Sequence, residues 1–180
     1  MYVCVERAQE DKGYPKFLCM IPACWPMLCV TLGLIVGISC AAYASSFPFV
    51  EPWLRVLAIV SLLINVASLL ITAFSDPGIQ PRRDAPGLVS EDGWIWNEAA
   101  ESFRQHGTVL CNESGVLVKD IDHFCPWTGT TIAGGNLRPF YAFVGTLWIN
   151  LFFVLGLFIA GRQAALVNVL EVDGNYSKAS

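Results

Sequence analysis

A short stretch of the sequence, IDHFCPW at residues 121–127, holds an aspartate, a histidine and a cysteine close together. A cysteine reacts as a nucleophile in its thiolate form, whereas a free thiol is mostly protonated at neutral pH. A neighbouring histidine can take the thiol proton, and a carboxylate can hold that histidine in the useful tautomer. Asp122, His123 and Cys125 therefore predict a nucleophilic cysteine with a base and an orienting acid.

The same residues allow a second chemistry, which is metal binding. Histidine and cysteine are the usual zinc ligands, and the chain has two histidines and seven cysteines. His123 and Cys125 would join Cys111 and His106 in such a site. Their spacing matches no common paired-cysteine pattern, so the sequence favours the nucleophile over the metal site.

The rest of the chain is typical of a membrane protein. It has 180 residues, of which 54% are hydrophobic and 14% are charged, against roughly 25% charged in soluble domains. Uncharged runs at 17–50, 56–75 and 139–161 each reach the roughly 20 residues that a helix needs to span a bilayer. We therefore predict an α-helical polytopic membrane protein with three transmembrane helices, the first near 26–45. The net charge of −4 argues against a nucleic-acid partner, which requires basic patches.

The positions of lysine and arginine predict the orientation, because these residues are enriched on cytosolic flanks. They precede span one, follow span two and precede span three at Arg7, Lys12, Lys16, Arg82, Arg83 and Arg138. The expected organisation is a cytosolic N-terminus at 1–20, transmembrane helices one and two at 21–75, a cytosolic domain at 76–138, transmembrane helix three at 139–162 and a C-terminal tail at 163–180.

The cytosolic domain must present the reactive residues at the membrane surface. We expect a short helix within 91–105, a β-hairpin over 108–121 around an Asn-Glu-Ser-Gly turn, and a flexible segment at 129–136. The hairpin would deliver the reactive residues shortly before span three. A thiolate there can meet an acyl chain that lies in the bilayer and carries a soluble head group, and thioester exchange is the natural chemistry.

The stretch DHFCPWTGTTIAGGNLRPF at 122–140 resembles the DHHC family of protein S-acyltransferases. The family pattern is Asp-His-His-Cys-Pro-Trp, then Asn-Cys, Gly, Asn and Phe at fixed offsets. The residues in register with it are Asp122, His123, Cys125, Pro126, Trp127, Asn136 and Phe140. Asp76, Pro77 and Gly78 resemble the family's Asp-Pro-Gly motif directly after the second span. The resemblance makes 76–138 a DHHC-like domain.

This resemblance implies a two-step reaction. Cys125 would take a long acyl chain from palmitoyl-CoA as a thioester and pass it to a membrane-proximal cysteine of a protein substrate. His123 would be the base and Asp122 would orient it. The acyl chain would lie among the membrane helices in contact with lipid. The implied location is an endomembrane, Golgi or endoplasmic reticulum, or the plasma membrane, with the active site in the cytosol.

The sequence departs from the family at the residues that bind zinc there. The second motif histidine is Phe124 here, and the downstream cysteine ligand falls at Thr131. The upstream ligands fall on Leu110, Cys111, Ser114 and Leu117, so only Cys111 is retained. We predict no bound zinc. The family's fourth span has no counterpart before Ser180, so the chain is expected to be a fragment or a reduced member.

Three interpretations follow from these observations. The first is an active protein S-acyltransferase. The second is a catalytically inactive DHHC-like membrane adaptor, which the lost zinc ligands favour. The third is an unrelated three-span protein with a chance motif. Separately, Asn150 lies inside span three, where it would either hydrogen-bond to another helix or line a cavity. We favour the hydrogen bond.

Overall fold

The computed structural model describes the backbone of residues 2–7, 16–82 and 94–179, and the side chains of 21–82 and 94–171. Lys12 and Arg83, which contributed to the orientation prediction, lie outside these residues. The elements in chain order are β1 Tyr2–Arg7, β2 Lys16–Ile21, α1 Trp25–Ser46, a 3₁₀ turn Phe47–Phe49, α2 Pro52–Phe74, β3 Trp94–Asn97, β4 Ser102–Gln105, β5 Thr108–Cys111, β6 Val116–Lys119, β7 Ile121–Cys125, β8 Thr130–Ala133 and α3 Leu137–Ala179.

The three predicted spans are confirmed as helices. Trp25–Phe49, Pro52–Phe74 and Leu137–Glu171 are long and apolar enough to cross a membrane. The second begins before the predicted 56–75 because Pro52 occupies its first position, where a missing N–H costs nothing. The third continues past Arg162 to Ala179, since an arginine is a good helix former and ends an apolar run without ending a helix.

The chain divides into two compact units. One unit comprises Met1–Thr31 and Ser68–Phe143 and contains all the strands, and the other comprises Leu32–Ala67 and Val144–Ser180. The strands pair as four antiparallel hairpins in order along the chain: β1 with β2, β3 with β4, β5 with β6, and β7 with β8. A small β-hairpin domain therefore lies between the second and third helices, as predicted.

The helical unit is held together by an apolar core and by polar side chains that bond between helices. Tyr43 donates from its hydroxyl to the carbonyl of Ala58 at 2.9 Å. Asn150 on α3 accepts a hydrogen bond from Ser61 on α2 and donates one to Ser39 on α1, each at 3.3 Å. Such bonds stabilise helix packing where no water is available. The expected hydrogen bond from Asn150 to another helix is confirmed.

The predicted hairpin over 108–121 is confirmed, because β5 and β6 flank a turn at 112–115. The expected short helix within 91–105 is wrong over the described residues 94–105, where β3 and β4 form a hairpin. Aromatic side chains override the helix formers here, with the rings of Trp96 and Phe103 packed edge to face at 4.8 Å. Asn97 accepts a hydrogen bond from the backbone N–H of Ala100 at 2.8 Å and fixes the turn.

The expected flexible segment at 129–136 is also wrong. Residues 130–133 form strand β8, and all four of its residues are buried. Three of them, Thr130, Thr131 and Ile132, are β-branched and suit a strand. The hairpin of 108–121 consequently does not carry the reactive residues, which lie on the separate strand β7 paired with β8.

Candidate active site

Strand β7 carries Asp122, His123 and Cys125, and its pairing with β8 fixes where their side chains lie. His123 is opposite Ile132, and Cys125 is opposite Thr130. The register shifts between Ile121 and His123, so Asp122 sits at an irregularity of the strand. Side chains two residues apart project from the same face of a strand. His123 and Cys125 therefore share one face.

Asp122 and His123 are in contact. Nδ1 of His123 lies 3.4 Å from Oδ1 of Asp122, and both side chains are about half exposed. The edge-to-face contact between His123 and the ring of Phe140 has a centroid separation of 5.2 Å. The carboxylate and the ring together hold the imidazole, and the Nδ1 contact leaves Nε2 as the nitrogen available to a thiol.

Cys125 ends strand β7 and is 6% exposed. Among the described residues, no hydrogen bond joins its thiol to His123; two residues of strand separate them by about 6.6 Å along the chain. Catalytic hydrogen bonds are often long before substrate binds, and a base can also act through one water. The structure thus joins the acid to the base and places the thiol on the same face.

The tip of the β7–β8 hairpin is anchored at the start of α1. The backbone N–H of Cys24 donates to the carbonyl of Gly129 at 2.9 Å. Within the tip, the hydroxyl of Thr128 donates to the carbonyl of Cys125 at 3.2 Å. Pro126 and Trp127 are exposed, and Trp127 is 56% exposed. Its amphipathic ring suits a membrane–water interface.

Asp76, Pro77 and Gly78 form a turn that attaches the end of α2 to the hairpins. Oδ1 of Asp76 accepts the backbone N–H groups of Gly78 and Ile79 at 2.8 and 2.9 Å. Gly78 has φ +106°, a conformation that side chains disfavour. Its carbonyl accepts the N–H of Lys119 on β6 at 3.1 Å. These bonds tie the end of α2 to β6 and support the domain.

Asn136 joins β8 to α3. Its carboxamide accepts the N–H of Ala133 at 2.9 Å and donates to the carbonyl of Thr131 at 3.0 Å. Its backbone carbonyl accepts the N–H of Phe140 at 3.1 Å, which begins the helix. Asn136 is completely buried. These bonds give the motif asparagine a structural role, because they fix the end of β8 and the start of α3.

Sequence reasoning missed two supporting residues. A Cβ on Gly135 would collide with the carbonyl oxygen of Asp76, so only glycine fits this close approach. Gln80 donates to the carbonyl of Phe103 at 2.7 Å and accepts the N–H of Gln105 at 3.0 Å, linking the segment that follows α2 to β4. The adjacent glycines at 134–135 could have predicted the close approach at Gly135. No local sequence pattern predicts the hydrogen bonds of Gln80.

Three of the residues at the family's zinc positions meet in a buried cluster. Thr131 Oγ1 lies 3.2 Å from Cys111 Sγ and 3.0 Å from Ser114 Oγ. Phe124 pairs with Thr131 across the hairpin, and Leu110 pairs with Leu117. Tetrahedral zinc, with ligands at about 2.0–2.3 Å, would hold them about 3.3–3.8 Å apart.

This donor set does not fit zinc. One thiol, two hydroxyls and a phenyl ring replace the cysteines and histidine that zinc prefers, and direct hydrogen bonds occupy the space between them. Throughout the part of the chain that the structure describes, no group of three or more His, Cys, Asp or Glu is arranged to hold a metal. The alternative site of His106, Cys111, His123 and Cys125 is accordingly not formed. That the protein binds no zinc stays a prediction.

Comparison with known proteins agrees with this geometry. The family model described as DHHC palmitoyltransferase matches residues 91–171, which include β7, β8 and the start of α3. These residues are similar to the DHHC palmitoyltransferase family. The interpretation as an unrelated three-span protein with a chance motif is therefore wrong, and the DHHC resemblance is confirmed.

Several curated relatives are similar over a larger part of the chain. Palmitoyltransferase ZDHHC18-A of Danio rerio is 28% identical over 82% of this chain and 39% of its own length. Palmitoyltransferase ZDHHC9 of Danio rerio is 25% identical over 79% of this chain and 47% of its own length. Palmitoyltransferase ZDHHC5 of Homo sapiens is 23% identical over 78% of this chain and 22% of its own length. The chain thus spans less than half the length of these DHHC relatives.

Proposed function

We propose that this DHHC-family chain is a protein S-acyltransferase that acts through a Cys125 thioester. The observation that carries the proposal is the arrangement on β7, where His123 contacts Asp122 and shares a face with Cys125. The relatives' names, which describe palmitoyltransferases, support palmitoyl-CoA as the donor and protein cysteines as the acceptors.

The first half-reaction charges the enzyme. His123 takes the proton of Cys125, and the sulfur attacks the carbonyl carbon of palmitoyl-CoA. The new S–C bond forms as the bond to the CoA sulfur breaks, and the departing CoA thiolate takes the proton from His123. In the second half-reaction an acceptor cysteine attacks the Cys125 thioester by the same steps. Asp122 keeps the imidazole oriented throughout.

The helical unit offers surfaces suited to a fatty chain. A groove of about 300 Å³ between α2 and α3 is lined by Leu57, Val60, Ser61, Ile64, Thr146, Ile149 and Phe153. A second, of about 530 Å³, lies between α1 and α3. Both are almost entirely apolar. They support membrane lipid and the acyl group as ligands of this unit.

The test is acylation of the purified full chain with labelled palmitoyl-CoA. We expect the protein to gain a hydroxylamine-labile acyl group, because only a thioester is cleaved by hydroxylamine under mild conditions. Cys125→Ala removes the nucleophile and should abolish the label. Cys40→Ala, at an exposed cysteine of α1, is the matched control and should keep it. Absence of label on the intact wild type would overturn the proposal.

A second candidate is a catalytically inactive membrane adaptor. It is favoured by the hydroxyls and phenyl ring that stand at the family's metal positions, and by the burial of the Cys125 thiol. An adaptor would use the scaffold to bind partner proteins without acyl transfer. In cells that depend on the protein, Cys125→Ala would then leave function unchanged, whereas the acyltransferase predicts loss.

The proposed topology places β3 to β8 in the cytosol, where acyl-CoA is available, at a Golgi, endoplasmic reticulum or plasma membrane. Substrates would carry cysteines close to that membrane. The segment from β3 to β8 should therefore be protected from added protease in intact cells and become accessible once the plasma membrane alone is permeabilised. A tag inserted at Asn112, an exposed position of the β5–β6 turn, would report the side, and cleavage of that tag from outside would contradict the topology.

A further inference from the structure

Thr130 lies directly across the hairpin from Cys125. Opposite residues in an antiparallel pair place their Cβ atoms about 4.5–5.5 Å apart on the same face. Thr130 is 0% exposed. Its hydroxyl has no hydrogen-bond partner among the described residues. The nucleophile thus has a buried, unused hydroxyl as its nearest cross-strand neighbour.

A buried hydroxyl without a partner destabilises a protein, and native structures satisfy most such groups. The neighbouring threonines follow that rule: Thr128 donates to the carbonyl of Cys125, and Thr131 contacts Cys111 and Ser114. Thr130 departs from it at the position that pairs with Cys125 across the hairpin. A valine there would fill the same volume without the unpaired oxygen. We therefore look for a hydrogen-bond partner of the Thr130 hydroxyl in the bound substrate.

The acyl-transfer chemistry needs such a group. When the sulfur of Cys125 attacks a thioester carbonyl, the electron pair of the C=O bond moves onto oxygen, and a hydrogen-bond donor must stabilise that charge. In several acyl-transfer enzymes the backbone N–H of the residue after the nucleophile is one such donor. Here that residue is Pro126, which has no N–H. The chain must take a donor from elsewhere.

We propose that the hydroxyl of Thr130 donates a hydrogen bond to the carbonyl oxygen of the acyl thioester as it becomes negatively charged, which makes Thr130 a catalytic residue. The hydroxyl keeps its proton: it supplies a hydrogen bond to the oxyanion while His123 carries the proton from the thiol to the departing sulfur. No atom or electron is gained or lost beyond the exchange of one thioester for another. This inference rests on the proposed S-acyltransferase function.

The test compares Thr130→Val, which removes the hydroxyl at constant volume, with Thr130→Ser, which keeps it. Thr108→Val, at a buried threonine of β5, is the control for the same chemical change in another hairpin. For each full-length protein in detergent micelles, the measurements are the rate of Cys125 acylation at saturating palmitoyl-CoA, the half-saturating palmitoyl-CoA concentration and the thermal unfolding midpoint.

We expect Thr130→Val to lower the saturating rate by about 100-fold, the effect of losing one oxyanion donor, at an unchanged half-saturating concentration. Its unfolding midpoint should equal or exceed that of the wild type, because an unpaired buried oxygen has been removed. Thr130→Ser should retain most of the rate, and Thr108→Val should retain it fully.

Two results would overturn the inference. A Thr130→Val protein that acylates at the wild-type rate shows that the hydroxyl does not act on the oxyanion. A Thr130→Val protein that loses stability and rate together shows that the hydroxyl serves the fold. Failure of the proposed function itself is distinct, since the wild-type protein would then acquire no label and both proposals would fall.

Discussion

The two faces of the β7–β8 hairpin carry different kinds of side chain. One face presents His123 and Cys125, with Asp122 in contact with the imidazole. The other presents Phe124 and Thr131, which stand at the family's zinc positions, and Thr131 contacts Cys111 and Ser114. The first face keeps the groups that acyl transfer needs. The second has exchanged metal donors for hydroxyls and a phenyl ring.

In the proposed mechanism the two faces of the hairpin have different tasks. Because side chains alternate along a strand, the residues that react and the residues that hold the hairpin in place occupy alternate positions and can change independently. In the face with Thr131, direct hydrogen bonds of 3.0–3.2 Å connect β8 to the β5–β6 hairpin. We expect substitutions on the face with His123 and Cys125 to change reactivity, and substitutions on the face with Phe124 and Thr131 to change stability.

The largest effect is expected from His123→Ala. Removing the base should slow acylation of Cys125 by about 10²–10⁴-fold, with little change in the unfolding midpoint because the imidazole is half exposed. His106→Ala, at the chain's other histidine, an exposed turn residue, is the matched control and should acylate normally. Equal rates for the two variants, measured by uptake of labelled palmitoyl groups, would show that His123 is not the base.

Among the substitutions expected to change stability and not reactivity, Asn136→Ala should be the most destabilising. It leaves the N–H of Ala133 and the carbonyl of Thr131 without their partner, and we expect a loss of about 2–4 kcal/mol in the free energy of unfolding. Denaturant unfolding of the full chain in micelles measures it. Asn112→Ala, on the exposed β5–β6 turn, should change it little; if both variants unfold alike, the Asn136 bonds do not support β8.

Thr131→Val should have a smaller effect of the same kind. It removes the hydroxyl that contacts Cys111 and Ser114, which should cost about 1–2 kcal/mol of stability, while Thr131→Ser should restore most of it. The acylation rate per folded molecule should stay at the wild-type level, because Thr131 lies on the face away from Cys125. A large fall in that rate without unfolding would show that the two faces are coupled.

The sequence was sufficient for the membrane helices and for the β5–β6 hairpin. Hydropathy marked α1, α2 and α3 because crossing a bilayer imposes a run of apolar residues, and the turn after Cys111 marked its hairpin. The motif also predicted that Asp122 contacts His123. These features depend on residues that are close in the chain.

The features that were missed depend on strand pairing and on burial, which local sequence patterns do not fix. The β3–β4 hairpin owes its form to the pairing of Trp96 with Phe103, which outweighs local helix propensity. The burial of β8 comes from its neighbours, so the glycine and threonine residues at 129–136 resembled a flexible segment. The position of Thr130 opposite Cys125 required the register of β7 and β8, which a single sequence does not fix.

The central claim is that the reactive face works without metal on the opposite face. Its most direct test is acylation of the purified protein after treatment with the zinc chelator 1,10-phenanthroline, with the zinc content measured before and after. A variant that combines Phe124→His, Ser114→Cys and Thr131→Cys completes the donor set with Cys111 and is the positive control for a chelator-sensitive protein. We predict that the wild type contains no stoichiometric zinc and that its Cys125 acylates at the same rate with and without chelator. Stoichiometric zinc whose removal stops acylation, and whose return restores it, would contradict the account.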